Sequence, residues 1–105
     1  MSEIKQLPVA IPKKEIEQFC QRHHIRKLSL FGSVLRDDFT PESDIDFLVE
    51  FEPGKTPGLF KIVRMEMELS ELLEGRKIDL RTPEELSIYF RDRVMAEAVV
   101  AYDSN

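Results

Sequence analysis

The segment that most constrains the fold is residues 44–51, where apolar side chains alternate with mostly polar ones. A period of two is typical of a β-strand with one face in the core, and the apolar face here consists of Ile45, Phe47, Val49 and Phe51. Asp44 and Asp46 leave the opposite face, about 6.5 Å apart at the backbone, and Leu48 follows them there. Like charges this close repel unless a cation lies between them. The pattern therefore predicts a strand that carries a pair of carboxylates.

The first third of the chain predicts a helix and a short strand. Helical spacing relates the apolar residues Ile16, Phe19 and Cys20, and Pro12 suits a first helical turn, so we expect a helix over about residues 12–24. Its last residues, His23 and His24, suit the end of a helix because the dipole favours a cation there. Residues 28–31 predict a strand that ends at Gly32, and Cys20 is expected in the core.

Beyond the carboxylate strand, turn-forming residues predict a loop over 52–58 and a helix over about 59–74. Gly75 suits the position just past that helix. The apolar stripe of the helix is Leu59, Ile62, Met65, Leu69, Leu72 and Leu73. Met65 and Met67 are expected to pack on and beside this stripe. The opposite, solvated face is expected to hold Glu66, Glu68, Glu71 and Glu74. A third short strand is predicted over 77–81.

The C-terminal part predicts a second helix start, with Thr82 as the cap, Pro83 at the first position and Glu85 three residues after the cap. We expect this helix to continue to about residue 98, with a possible break near Ser87. Residues 99–102 fit a strand or a helix equally well. The order of elements predicts one domain over residues 1–105, of the α/β (α+β) class, with helices packed against a small mixed β-sheet.

Composition excludes several classes of function. The 105 residues include 15 Lys and Arg and 20 Asp and Glu, a net charge of −5, which disfavours direct binding to DNA. The single cysteine, Cys20, excludes an intramolecular disulfide. Residues 1–6 have no apolar signal core, and no run reaches the roughly 18 apolar residues of a membrane span. We therefore expect a cytoplasmic protein that does not bind membranes.

Gly32 and Ser33 follow the first strand, where glycine allows close approach of a ligand and the serine hydroxyl can donate to a phosphate oxygen. Taken separately, this pair predicts only a turn, and Asp44 and Asp46 predict only a solvated strand face. Together they form Gly-Ser-x10-Asp-x-Asp, with a strand before the glycine and another through the aspartates. The carboxylate oxygens favour magnesium or manganese, and an EF-hand is excluded because its glycine is missing.

Residues 31–51 resemble the signature of the DNA polymerase beta-like nucleotidyltransferase superfamily, and the whole chain resembles its minimal prokaryotic branch. Asp79 matches the third carboxylate of that family. The resemblance implies that two Mg²⁺ ions, or Mn²⁺, are held by Asp44, Asp46 and Asp79. It also implies that Asp79 holds the ion activating the acceptor hydroxyl and accepts its proton, while Gly32 and Ser33 hold the triphosphate of an NTP.

Arg36 occupies a sequence position at which the family often has an arginine, which makes a phosphate contact plausible. An ion pair with a neighbouring surface carboxylate, Asp37 or Asp38, fits equally well. Both interpretations stay open. Three further arginines could reach a nucleotide or a partner, and the sequence does not choose between these roles: Arg81, Arg91 and Arg93.

The same resemblance implies a biological role. Proteins of the minimal branch commonly accompany an all-helical HEPN-type ribonuclease toxin, so we expect an antitoxin that transfers AMP from ATP to a tyrosine of that partner. Two alternatives stay open: an antitoxin that acts only by binding and occlusion, and transfer to a small molecule such as an antibiotic. Self-association through a sheet edge or the methionine-bearing helix is also conceivable.

Overall fold

Within residues 7–104, four strands form one mixed sheet: β1 (Ile25–Phe31), β2 (Ile45–Phe51), β3 (Ile78–Arg81) and β4 (Val99–Asp103). Their order across the sheet is β3-β2-β1-β4, with β2 parallel to β3 and the other pairs antiparallel. The structure is a computed structural model that describes residues 7–104. Residues 1–6, whose sequence predicts no signal segment, and Asn105 lie outside the described residues. A mixed sheet with packed helices is the predicted class.

In the part of the chain that the structure describes, three α-helices accompany the sheet: α1 (Lys13–Arg22), α2 (Leu59–Leu72) and α3 (Arg91–Glu97). Pro12 and His23 flank α1 as its N-cap and C-cap residues, so the expected position of His23 at the helix end is confirmed. His24 follows with a φ of 58°, which ends the helical conformation. Within residues 7–104, no helix is long and apolar enough to cross a bilayer.

The core lies between one face of the sheet and the helices α1 and α2. Ile45, Phe47 and Val49 of β2 are fully buried, as their alternation predicts. The buried helix residues that meet them are Ile16, Phe19, Cys20, Met65 and Leu69. Burying a side chain of this size contributes about 1.5–3 kcal/mol, so this layer accounts for much of the stability of the fold. Burial also raises the pKa of the Cys20 thiol to about 12, which leaves it protonated and unreactive.

Three details of α2 differ from the prediction. Leu59 is 74% exposed, because the apolar stripe meets the core only from Ile62 onward. Glu66 is not solvated but accepts a hydrogen bond from the backbone N–H of Leu80 at 2.8 Å. Glu68 pairs with Arg22 and with the His23 ring. The contacts of Glu66 and Glu68 depend on how α2 packs against β3 and α1, so the sequence of α2 alone could not predict them.

His23 and Glu68 connect α1 with α2 at a distance of 3.0 Å between Nε2 and Oε1. The remaining glutamates of that face, Glu71 and Glu74, are exposed as expected. Met65 is buried, whereas Met67 beside it is 63% exposed.

The helix predicted from Thr82 to about residue 98 is present only in part. The capping contact exists, since Glu85 Oε1 accepts from the N–H of Thr82 at 3.0 Å, but it starts only a short 3-10 turn (Pro83–Glu85). The backbone becomes extended at Leu86, and α3 begins after Ser87, near the expected break. The Arg91 guanidinium donates to the Pro83 carbonyl at 2.8 Å, so its role here is to hold this segment.

The open assignment of residues 99–102 is decided by pairing. β4 runs antiparallel to β1, with Leu30 opposite Val99 and Leu28 opposite Tyr102. β2 pairs with only one edge of β1. As a strand, β4 forms hydrogen bonds with the backbone groups of the other edge, and a continued helix would leave those groups without partners. The last element is therefore a strand for a tertiary reason.

Candidate active site

The sheet register brings two distant carboxylates together. β2 and β3 are parallel neighbours, and Asp46 and Asp79 are direct Cα partners between them. Asp44 immediately precedes β2, and Phe31 at the end of β1 is the partner of Asp46 on its other side. The three predicted carboxylates and the start of the Gly32-Ser33 turn therefore lie at the same end of the sheet.

The charges of these carboxylates act on one another. Burial is the largest cause that raises the pKa of Asp46 from 3.8 to about 6, and the charges of Asp79 and then Asp44 contribute to the same shift. The opposing contributions from Arg81 and Arg36 are smaller. The site thus holds more negative charge than its own cations balance, a condition that a divalent cation would relieve.

The oxygen donors suit magnesium or manganese, which prefer carboxylate and water ligands. Within residues 7–104, however, no three His, Cys, Asp or Glu side chains are already drawn together as a set of metal ligands. Repulsion between the carboxylates opposes such a set, and Arg81 Nε lies 3.2 Å from Asp79 Oδ2 in an ion pair. The residues present therefore fit a divalent ion in charge and chemistry, and binding would draw the side chains together.

Gly32 is required by its surroundings. Its φ is +81°, a conformation that other residues rarely adopt, and a methyl group on its Cα would overlap Oδ2 of Asp46. Glycine therefore lets the turn pass directly beside the carboxylate site. Ser33 follows it in a 3-10 turn (Gly32–Leu35), and the Arg36 N–H donates to the Ser33 carbonyl at 2.9 Å.

Of the two interpretations of Arg36, the structure contains the ion pair: Nε lies 3.6 Å from Asp38 Oδ1, with both side chains mostly exposed. Asp37 is not the partner in this pair. An exposed pair of this kind contributes little, about 0–1 kcal/mol, so it does not prevent the guanidinium from binding an anion. The phosphate contact stays a prediction.

A cleft of about 670 Å³ opens beside the turn, between Gly32 and Arg36 on one side and Phe90 and Arg93 of the C-terminal segment on the other. The sequence left the role of Arg93 open between a nucleotide and a partner, and no local motif marked Phe90. The signal that could have found it is the apolar run of residues 88–90, because large apolar side chains that follow a helix break in a polar segment often line a binding surface.

Comparison with known proteins supports one family. The model of the nucleotidyltransferase domain matches residues 13–101. The "Putative protein adenylyltransferase MJ0435" of Methanocaldococcus jannaschii is 38% identical over 87 residues, which cover 83% of this chain and 90% of that protein. "Protein adenylyltransferase MntA" of Thermococcus cleftensis is 34% identical over 87 residues, covering 83% of this chain and 82% of that protein.

Solved structures agree with the sequence comparison. A "putative minimal nucleotidyltransferase" has a TM-score of 0.67 at 33% identity and covers 83% of this chain and 86% of its own. A toxin-antitoxin structure with AMP-PNP has a TM-score of 0.70 over 90% of this chain and 75% of its own. At 18% identity, this second likeness concerns the fold alone.

Proposed function

Because this chain belongs to the nucleotidyltransferase domain family, we propose that it moves AMP from ATP to a hydroxyl group of a partner protein in a magnesium-dependent reaction. The family and the polymerase beta-like fold confirm the prediction made from the Gly-Ser-x10-Asp-x-Asp motif. The observation that carries the proposal is the proximity of Asp44, Asp46 and Asp79 beside the Gly32-Ser33 turn. Phosphoryl transfer needs this combination of positioning and charge neutralisation.

In the proposed reaction, the acceptor oxygen attacks the α-phosphorus of ATP, and the bond to the pyrophosphate oxygen breaks. Asp44, Asp46 and Asp79 would hold the metal ions, and a carboxylate oxygen of Asp79 takes the acceptor's proton. Magnesium, when bound, neutralises charge on the attacking and leaving oxygens. The Gly32-Ser33 turn approaches the triphosphate closely because it has no side chain at residue 32.

The cleft beside the turn is the proposed site of the nucleoside. It adjoins Gly32 and Arg36, so a triphosphate held there leaves its nucleoside near Phe90 and Arg93. A volume of about 670 Å³ is within the range of small-molecule sites. An aromatic ring and a guanidinium plane are the surfaces on which nucleobases stack.

The proposed acceptor is a tyrosine of a HEPN-type ribonuclease toxin, which would make this chain an antitoxin of the cytoplasm, where ATP and RNA are both present. Support comes from the relative named protein adenylyltransferase MntA and from the toxin-antitoxin assemblies that share the fold.

A second candidate is an antitoxin that acts by binding alone. The observation in its favour is the outward face of α2, where Phe60 is 85% exposed and Met67 63%. Exposed apolar residues on one helix are typical of a surface for a protein partner or a second copy of the chain. Occlusion requires this surface but none of the site carboxylates.

The test is the mass of the toxin after incubation with this chain, ATP and Mg²⁺. We expect the toxin to gain the mass of one AMP. The Asp44→Asn, Asp46→Asn double variant should lower the rate by more than about a hundredfold, since loss of groups that merely support metal ligands already costs about 10–100-fold. A toxin that is neutralised without any gain in mass would favour occlusion.

The matched control is Glu71→Gln with Glu74→Gln, which removes two exposed carboxylates elsewhere on the surface. This variant changes the net charge equally and should transfer AMP like the parent. If both double variants retain equal activity, the assignment of Asp44 and Asp46 as metal ligands is wrong.

A further inference from the structure

Arg81 occupies a defined position in the carboxylate site. It follows Asp79 by two residues on β3, so both side chains leave the same face of the sheet. Across to β2, Asp79 lies opposite Asp46 and Arg81 lies opposite Leu48, which places the guanidinium one step along the same face. Arg81 Nε lies 3.2 Å from Asp79 Oδ2.

This ion pair uses a carboxylate oxygen that the proposed reaction assigns to a metal ion. Arg81 partly neutralises the site, and its charge acts on Asp46 as well as on Asp79. A divalent cation that binds Oδ2 of Asp79 has to displace the guanidinium, and one that binds Oδ1 remains close to a positive charge. Both effects weaken cation binding, although the pair is half exposed and easily opened.

Resting on the proposed function, we infer that Arg81 is a positioning residue that pairs with Asp79 and competes with the divalent cation for that carboxylate. In the free protein, Arg81 is the counterion of the third carboxylate and occupies its Oδ2. Cation entry exchanges this internal counterion for the metal. The residue therefore sets how much cation the free enzyme binds before nucleotide arrives.

The test is Mn²⁺ binding to the full nucleotide-free chain, measured by calorimetry and by the paramagnetic resonance signal of free Mn²⁺. We expect Arg81→Gln to tighten binding about three- to tenfold, because an exposed pair and a nearby like charge are both removed. Arg81→Lys should bind like the parent, since it keeps the charge beside Asp79. In the Asp79→Asn background, Arg81→Gln should have a clearly smaller effect.

Arg22→Gln is the matched control. It removes one arginine from another exposed pair, with Glu68 on α2, and it changes the net charge equally. Its Mn²⁺ affinity should stay within about twofold of the parent. Equal affinities for Arg81→Gln and Arg22→Gln would overturn the role of Arg81.

Mn²⁺ binding distinguishes a failure of the proposed metal site from a failure of the proposed role of Arg81. If Asp44→Asn with Asp46→Asn binds Mn²⁺ as tightly as the parent, the metal assignment of the proposed function is wrong, and the inference about Arg81 falls with it. If that variant loses Mn²⁺ binding while Arg81→Gln behaves like Arg22→Gln, only the competition by Arg81 is excluded.

Discussion

Among single residues, Asp46 shows most directly how a site for metal ions affects the protein that carries it. The side chain is partly buried, and it faces the charges of Asp79 and Asp44. Ionisation of Asp46 is therefore unfavourable in the folded chain, and a protein selected only for stability would have no reason to place three carboxylates there.

We expect Asp46→Asn to raise the free energy of unfolding at pH 7 by about 1 kcal/mol in the absence of divalent ions. Burial and the neighbouring carboxylates raise the pKa of Asp46 from 3.8 to about 6, so the folded state binds the proton more tightly than the unfolded chain. The contribution of Asp46 to stability thus falls as pH rises from about 4 to about 6, and its full penalty is present above that range. Partial exposure reduces the effect, because solvent screens the charge.

Urea unfolding of parent and variant with EDTA at pH 7 and pH 4 measures this effect, and the difference between them should nearly vanish at pH 4. Glu42→Gln, an exposed loop carboxylate, is the control and should change stability little at either pH. An asparagine variant that is less stable than the parent at pH 7 would contradict the prediction.

At the scale of elements, the strand β3 depends on α2. β3 has only four residues and lies at the edge of the sheet. Glu66 of α2 accepts from the outward N–H of Leu80 at 2.8 Å, next to Asp79 in the chain. This side chain supplies the partner that a further strand would otherwise provide, and it holds the strand that presents the third carboxylate.

We expect Glu66→Ala to lower the free energy of unfolding by about 1–2 kcal/mol, because a partly buried N–H loses a charged acceptor. Glu71→Ala, on the same helix but exposed, should change it by less than about 0.5 kcal/mol. Urea unfolding at pH 7 compares the two. Equal small effects would show that the contact between Glu66 and Leu80 does not stabilise β3.

The whole molecule assembles the cleft from distant parts of the chain. Gly32 and Arg36 come from the turn after β1, whereas Phe90 and Arg93 come from the segment before β4. Pairing of β4 with β1 brings these segments together, since Val99 at the start of β4 lies opposite Leu30. The nucleoside site that we propose therefore exists only in the complete sheet.

We expect Phe90→Ala to weaken ATP binding about tenfold, since stacking of a base on an aromatic ring contributes about 1–3 kcal/mol. Binding of tripolyphosphate, which has no base, should stay unchanged. Ile88→Ala, an exposed neighbour outside the cleft lining, is the control and should bind both ligands like the parent. Titration calorimetry with Mg²⁺ measures both ligands. Equal weakening of ATP and tripolyphosphate would place Phe90 at the phosphates instead.

Local patterns predicted much of this fold. Alternation identified the buried face of β2, helical spacing identified the core residues Ile16 and Phe19, and Gly75 was expected just past α2. These predictions are correct because an element that buries one face repeats its apolar residues with a fixed period, and a short segment is enough to show that period. Prediction was wrong where the surroundings of a residue depend on distant parts of the chain, as for the exposure of Leu59 and the hydrogen-bond partner of Glu66.

By itself, the sequence determined the order of most elements, the family, and the residue types that could bind a metal and a triphosphate, because periodicity and motif spacing are properties of the chain alone. Only the tertiary structure decided that Asp79 lies beside Asp46, that Arg81 pairs with Asp79, and that residues 99–103 form a strand. Each of these depends on contacts between segments far apart in the chain, whose geometry exists only once the sheet has formed.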